Sequence, residues 1–203
     1  MYASSSSVYG DAESFPTSET LLPKPVSPYG VTKLAAEHLV YLYWKNFGVP
    51  TASVRYFTVY GPRQRPDMAF NKFIRAILAD REIELYGTGE QTRDFTFVAD
   101  AVDGTIRAAL ADTQGEVFNL GGGSRVTVNH VLATLQEIAG RPLRVLRLGT
   151  QKGDVGHTSA DTSRARATLG YQPRTDLRTG LAAEFDWLDK TLASVRGGSL
   201  VSS

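Results

Sequence analysis

Strand-length apolar runs alternate with stretches of helical spacing along almost the whole chain. That alternation restricts the fold to an α/β architecture with a parallel sheet. Tyr2 to Ser5 reads as the end of a strand and Thr51 to Phe57 as a buried strand. Between them a long helix is predicted over Pro28 to Phe47, because Pro28 suits a first helical turn and Gly48-Val49-Pro50 stops one. Further helices are predicted at Ala69 to Asp80, Asp100 to about Ala111, Asn129 to Ala139, Ser163 to Leu169 and Leu177 to about Leu192. Strands are predicted at Glu82 to Tyr86, Glu116 to Leu120 and Leu143 to Leu148, with Arg93 to Val98 extended. The stretch Asp11 to Ser27, with Pro16, Pro23 and Pro25, reads as a surface loop. The tail from Arg196 to Ser203 is expected to be disordered.

Composition removes several classes of function. With 22 basic and 21 acidic residues and a net charge of +1, the chain offers no polyelectrolyte partner a footing, so nucleic acid is not expected. It has no cysteine, which excludes disulfides, thiolate metal sites and thiol catalysis. His38, His130 and His157 show no ligand spacing, and no metal site is expected. No apolar run approaches membrane-spanning length, and the first residues are hydroxyl-rich. The expectation is a cytoplasmic protein with no membrane partner.

Chemistry concentrates at Tyr29 and Lys33, in S-P-Y-G-V-T-K from Ser27 to Lys33. At i and i+4 of a helix the two side chains stack on one face. An ammonium beside a phenol favours the phenolate, the form a general base needs. The short distance from S-S-S-S-V-Y-G, Ser4 to Gly10, makes the pair far more specific than a Tyr-Lys couple alone.

With these motifs the chain resembles the extended short-chain dehydrogenase/reductase family, the NAD-dependent nucleotide-sugar epimerases and dehydratases. The likeness extends to V-R-Y-F-T-V-Y-G-P-R-Q-R-P-D-M-A (Val54 to Ala69), Y-G-T-G-E-Q-T-R-D-F-T-F-V-A-D (Tyr86 to Asp100), F-N-L-G-G-G (Phe118 to Gly123) and G-D-V-G-H-T-S-A-D (Gly153 to Asp161). The resemblance implies Ser5, Tyr29 and Lys33 as the catalytic set, NAD as cofactor, and Tyr29, Lys33 and Tyr56 as residues that touch it. The family's opening G-x-x-G-x-x-G turn, which holds the NAD pyrophosphate at a helix N-terminus, does not occur here. Glycines 121–123 lead into S-R-V-T-V and read as a turn, not a phosphate cradle. The expectation is therefore the C-terminal portion of a longer protein, about a hundred residues short, or three to four units of about 30 residues. In fold terms this is an incomplete Rossmann-like parallel sheet with a small substrate-binding α/β domain. The expected division is 1–60 and 100–122 in the dinucleotide domain, 61–99 and 123–192 in the substrate domain, and a tail at 193–203. Without the missing strands the chain is expected to be marginally stable or oligomeric.

The same resemblance narrows the substrate. Related dehydratases carry Asp-Glu where this chain has Ser6 and Ser7, which argues for epimerisation over dehydration. The stretch from Arg55 to Ala69 is similar to that of UDP-glucuronate 4-epimerases. There Thr58 would meet the C6 carboxylate, and Arg65 would grip an anionic part of the substrate with its planar guanidinium. Arg93 would bind the diphosphate, Asp154 a nucleotide ribose, and Asn71 the uridine through its backbone. The expected reaction is conversion of UDP-glucuronate to UDP-galacturonate by a homodimer, to which Leu39, Leu42 and Tyr43 would contribute an interface. A core-facing stripe accounts for those three equally well. UDP-glucose 4-epimerase, UDP-glucuronate decarboxylase and an inactive nucleotide-sugar-binding fragment stay open as alternatives.

Overall fold

The computed structural model describes residues 1–123, 125–149 and 157–198. Two compact units divide them. The described residues of Met1–Val59, Gln91–Val126 and Lys152–Thr175 form the first, and those of Tyr60–Glu90, Thr127–Gln151 and Asp176–Ser203 the second.

The first unit is built on three parallel strands in the order Tyr2–Ser5, Thr51–Tyr56, Gln114–Leu120. The expected parallel α/β sheet is thus borne out. The helix Pro28–Phe47 links the first two strands and keeps its predicted ends. Ser27 caps it by accepting from Gly30 N–H at 3.1 Å, and Gly48 closes it in the left-handed region at φ 67°. Because side chains alternate across a strand, register decides what meets what. Ala52, Val54, Phe118 and Leu120 fall on one side of the sheet and form a core with Ala108, Ala165, Leu169 and Tyr171. Ser4 stands beside Arg55, and Arg55 beside Asn119, on the alternate positions. That second side is buried as well, and it is polar.

The long helix does not cover it as an ordinary amphipathic helix would. Its buried residues are Gly30 and Glu37, whereas Leu39, Leu42, Tyr43 and Phe47 are exposed. The three residues read as an interface or a core stripe are therefore not core in this chain.

The second unit pairs the strand Ile83–Tyr86 in parallel with Val145–Leu148. Helices Ala69–Leu78 and Val128–Ala139 pack on the C-terminal helix Leu177–Gly198. Ile74, Ile77, Ile83, Leu85, Val131, Leu135, Leu181 and Leu188 are among its buried apolar residues. The last helix runs six residues beyond the predicted Leu192, into the stretch expected to be disordered, because no proline or charge block interrupts Ala193-Ser194-Val195. No helix of the described residues is long and apolar enough to cross a membrane.

Candidate active site

Ser5 ends the first strand and caps the single 3-10 turn Ser6–Tyr9 that follows. Its hydroxyl accepts from Ser7 N–H at 3.1 Å and donates to Ser7 Oγ at 3.1 Å. Gly10 closes this turn at φ 61°, where a Cβ would lie 2.0 Å from the Lys24 carbonyl oxygen. The start of the long helix docks on the same turn. A Cβ on Gly30 would sit 2.5 Å from the Ser7 carbonyl oxygen, so the glycine between Tyr29 and Lys33 permits the approach. Lys33 Nζ donates to the Ala3 carbonyl at 2.9 Å and lies 5.5 Å from the centre of the Tyr29 ring. One hydrogen bond, Lys33 to Ala3, and one close approach, Gly30 to Ser7, thus bracket Ser5 and bring the expected catalytic residues to one corner. Tyr29 is 55% exposed there, open to a ligand.

Beneath that corner runs a buried polar chain that sequence reasoning did not assign. Ser4 Oγ donates to Glu37 Oε1, and Arg55 grips the same carboxylate through Nε at 3.0 Å and Nη2 at 2.7 Å. Both charged side chains are 4% exposed. The Arg55 guanidinium stacks on the Tyr9 ring at 4.7 Å, and Tyr9 Oη donates to Asn119 Oδ1 at 2.8 Å. Asn119 is held in turn by Glu19, Thr17 and Asp161. Burial raises the Tyr9 pKa, with Arg55 opposing, so the phenol stays a neutral donor. Burial pulls the Arg55 pKa down, but the Glu37 hydrogen bonds outweigh it and the guanidinium stays charged. The signal for this network was present: an arginine inside a strand of buried residues needs a partner, and Glu37 continues the i, i+4 series of Tyr29 and Lys33.

Arg93 Nη1 is bonded to the Thr92 carbonyl at 3.2 Å, beside Asp94, which sequence reasoning quoted but gave no role. Asp94 is 1% exposed and ties three chain segments together. It accepts from Gly122 N–H at 2.7 Å and Ala160 N–H at 2.9 Å. Burial pushes its carboxyl up, and these backbone donors pull against that rise. A Cβ on Gly121 would meet Asp94 Oδ2 at 2.9 Å, and one on Gly122 the Phe95 carbonyl oxygen at 1.9 Å. The glycine cluster is filled by the protein's own carboxylate. Among the other expected contacts, Tyr56 bonds Thr105 through its hydroxyl at 2.6 Å, and Thr58 is half-buried with its carbonyl accepting from Thr96 N–H. Asp154 lies outside the described residues.

In the second unit Arg65 is 74% exposed and pairs with Asp67 at 3.0 Å. Asn71 is fully buried: its Nδ2 donates to the Gln64 carbonyl, its N–H to Gln64 Oε1, and its Oδ1 accepts from Arg75. Gly61 N–H donates to Glu184 Oε2 at 2.8 Å. Burial pushes the Glu184 carboxyl from 4.5 up to about 7, and the Gly61 bond offsets only part of that. Between those two values the folded chain keeps the proton that the unfolded chain has released. Stability therefore falls as pH rises through that window, by about 3 kcal/mol in all. Glu184→Gln is expected to flatten this dependence in thermal unfolding between about pH 5 and 8; an equally steep fall in the variant would refute the assignment.

The profile of the NAD dependent epimerase/dehydratase family matches residues 1–121. That stretch contains Ser5, Tyr29, Lys33 and all of the Glu37–Arg55–Tyr9–Asn119 network. The chain belongs to this family.

Its relatives agree. The "uncharacterized UDP-glucose epimerase YtcB" of Bacillus subtilis is 42% identical over 190 residues, covering 93% of this chain and 60% of the relative. A UDP-glucuronate 4-epimerase of Thermodesulfobacterium geofontis is 38% identical, covering 96% of the chain and 60% of that protein. Among solved structures, the UDP-glucuronic acid 4-epimerase of Bacillus cereus in complex with UDP-glucuronic acid and NAD superposes with a TM-score of 0.89 at 44% identity. The shares covered there are 93% of this chain and 60% of the other. The resemblance read from the motifs is borne out at the level of the family. The chain spans about 60% of the length of the curated relatives it matches.

Proposed function

We propose that this chain carries the catalytic corner and part of the substrate site of an NAD-dependent UDP-sugar 4-epimerase acting on UDP-glucuronate. The observation that carries the reading is the pinning of Tyr29 and Lys33 against the Ser5 turn through Ala3 and Ser7. Support for the substrate comes from the 44% identity to a protein solved with UDP-glucuronic acid and NAD.

The residues fit a nicotinamide ribose. One of the three Lys33 donors is used on the Ala3 carbonyl, which leaves two for vicinal hydroxyls beside an exposed phenol. NAD held there supplies the hydride acceptor at C4 and the donor for its return. Tyr29 takes the proton from the sugar O4 as C4 becomes a ketone. After the sugar turns so that C4 presents its other face, Tyr29 gives the proton back to O4. Ser5 Oγ hydrogen-bonds the same oxygen, and the Lys33 charge stabilises the phenolate between the two half-reactions.

The 4-keto intermediate of a uronate is a β-keto acid, and it loses CO2 when its carboxylate turns out of the carbonyl plane. Ser6 and Ser7, where related dehydratases carry acidic groups, and Thr58 offer hydroxyls that would restrain that carboxylate without repelling it. Arg65, Arg93 and Asp154 are the proposed contacts to the remainder of the nucleotide sugar; Asn71, expected to meet the uridine through its backbone, is fully buried with its N–H bonded to Gln64 and is left out of that set.

The test is an assay of the complete gene product carrying this sequence, with UDP-glucuronate and UDP-glucose supplied separately and products resolved by NMR. UDP-galacturonate is the expected product. Turnover of UDP-glucose alone, or release of CO2 with a pentose product, would sink the uronate reading. The likeness to the Bacillus subtilis UDP-glucose epimerase makes the first of these the principal rival.

A further inference from the structure

Glu184 is fully buried in the C-terminal helix, and its carboxyl makes one hydrogen bond, from Gly61 N–H to Oε2 at 2.8 Å. Oε1 is buried with no hydrogen-bond partner among the described residues. An apolar side chain of similar size would fill this place without the desolvation penalty of a half-satisfied carboxyl, so packing does not explain the residue.

Its one bond goes to an unusual piece of backbone. Gly61 has φ 133° and Arg63 φ 72°, both in the region that L side chains disfavour. The turn closes through Gln64 N–H to the Gly61 carbonyl at 3.0 Å. At its far end the fully buried Asn71 holds the Gln64 carbonyl and side chain. Two buried polar side chains therefore clamp residues 61–64 from both ends and leave Arg63 and Arg65 exposed.

We propose that Glu184 is a positioning residue for this turn, holding Arg63 and Arg65 in the geometry that grips an anionic group of the substrate. What is gripped rests on the UDP-sugar reading above; the positioning itself does not. Leucine at 184 removes the acceptor for Gly61 N–H, and glutamine keeps one.

In the complete gene product, Glu184→Leu is expected to raise KM for UDP-glucuronate about tenfold and leave kcat within about twofold, with Tm at pH 8 no lower than wild type. Tryptic cleavage at the Arg63–Gln64 bond is expected to be at least about fivefold faster, because the strained turn opens more often. Glu184→Gln is expected to restore most of the KM and of the protection. The proposal is overturned if Glu184→Leu keeps wild-type KM and cleavage, if Glu184→Gln is as defective as the leucine, or if kcat falls in step with the folded fraction. A wild-type protein that turns over no UDP-sugar would overturn the proposed function and leave the cleavage rates to decide for or against Glu184.

Discussion

Tyr29→Phe, made in the complete gene product, is expected to lower kcat about 10²- to 10⁴-fold while KM changes little. The substitution removes one oxygen from a side chain that is 55% exposed, so no core contact is lost. The ring still faces the Lys33 ammonium, now 5.5 Å from its centre. What disappears is the group proposed to accept the O4 proton; Tyr2, whose ring centre lies 5.3 Å from Lys33 Nζ, is the phenol that stays beside that ammonium. A variant that keeps kcat within about tenfold of wild type would remove Tyr29 from the base role and with it the proposed mechanism. Circular dichroism and Tm identical to wild type are the accompanying expectation.

Glu37→Leu is expected to destabilise the first unit by about 3–5 kcal/mol, measured as a shift of the denaturant midpoint at constant slope. The loss is large because the arginine it abandons is 4% exposed and has one nitrogen, Nη1, already without a partner among the described residues. A buried guanidinium stripped of its carboxylate retains the desolvation penalty and loses the compensation. The double variant Glu37→Leu/Arg55→Met is expected to recover most of that stability, since two apolar side chains replace two charges together. If the single variant costs less than about 1 kcal/mol, the buried pair is not what joins helix and sheet. The double variant also separates stability from positioning. Its recovered fold is expected to turn over more slowly, because Ser4, next to Ser5, no longer has the Glu37 carboxylate to hold it. Full activity in the double variant would reduce the network to a stability element.

Much of this was legible in order and little of it in partnership. The Pro28–Phe47 helix was readable to the residue at both ends, because Ser27, Pro28 and Gly48 act on their own neighbours through local dihedral preferences and a capping bond. The proposed catalytic set was readable as a candidate because Tyr29 and Lys33 are four residues apart on one helix, and because V-Y-G, through the family resemblance, marks the position of Ser5. The chain's own pattern also read the glycine cluster as a turn, and the structure supplies Asp94 as the group that fills it. For Leu39, Leu42 and Tyr43 the sequence left interface and core stripe open, and only the structure removes the core reading: periodicity shows that a stripe exists and says nothing of what meets it.

By itself, then, the sequence determined the α/β alternation, both ends of the Pro28–Phe47 helix and which residues are proposed for the reacting corner. Tertiary structure alone decided that Ser4, Arg55 and Asn119 share one buried side of the sheet, that Glu37 is the charge they converge on, and that Glu184 reaches Gly61 across 123 positions. The division has a physical cause. Caps, turns and helix spacing are interactions within a few residues and can be read in place. A buried charge is stabilised by whatever the strand register and the packing of distant helices bring against it, and no local pattern encodes that choice.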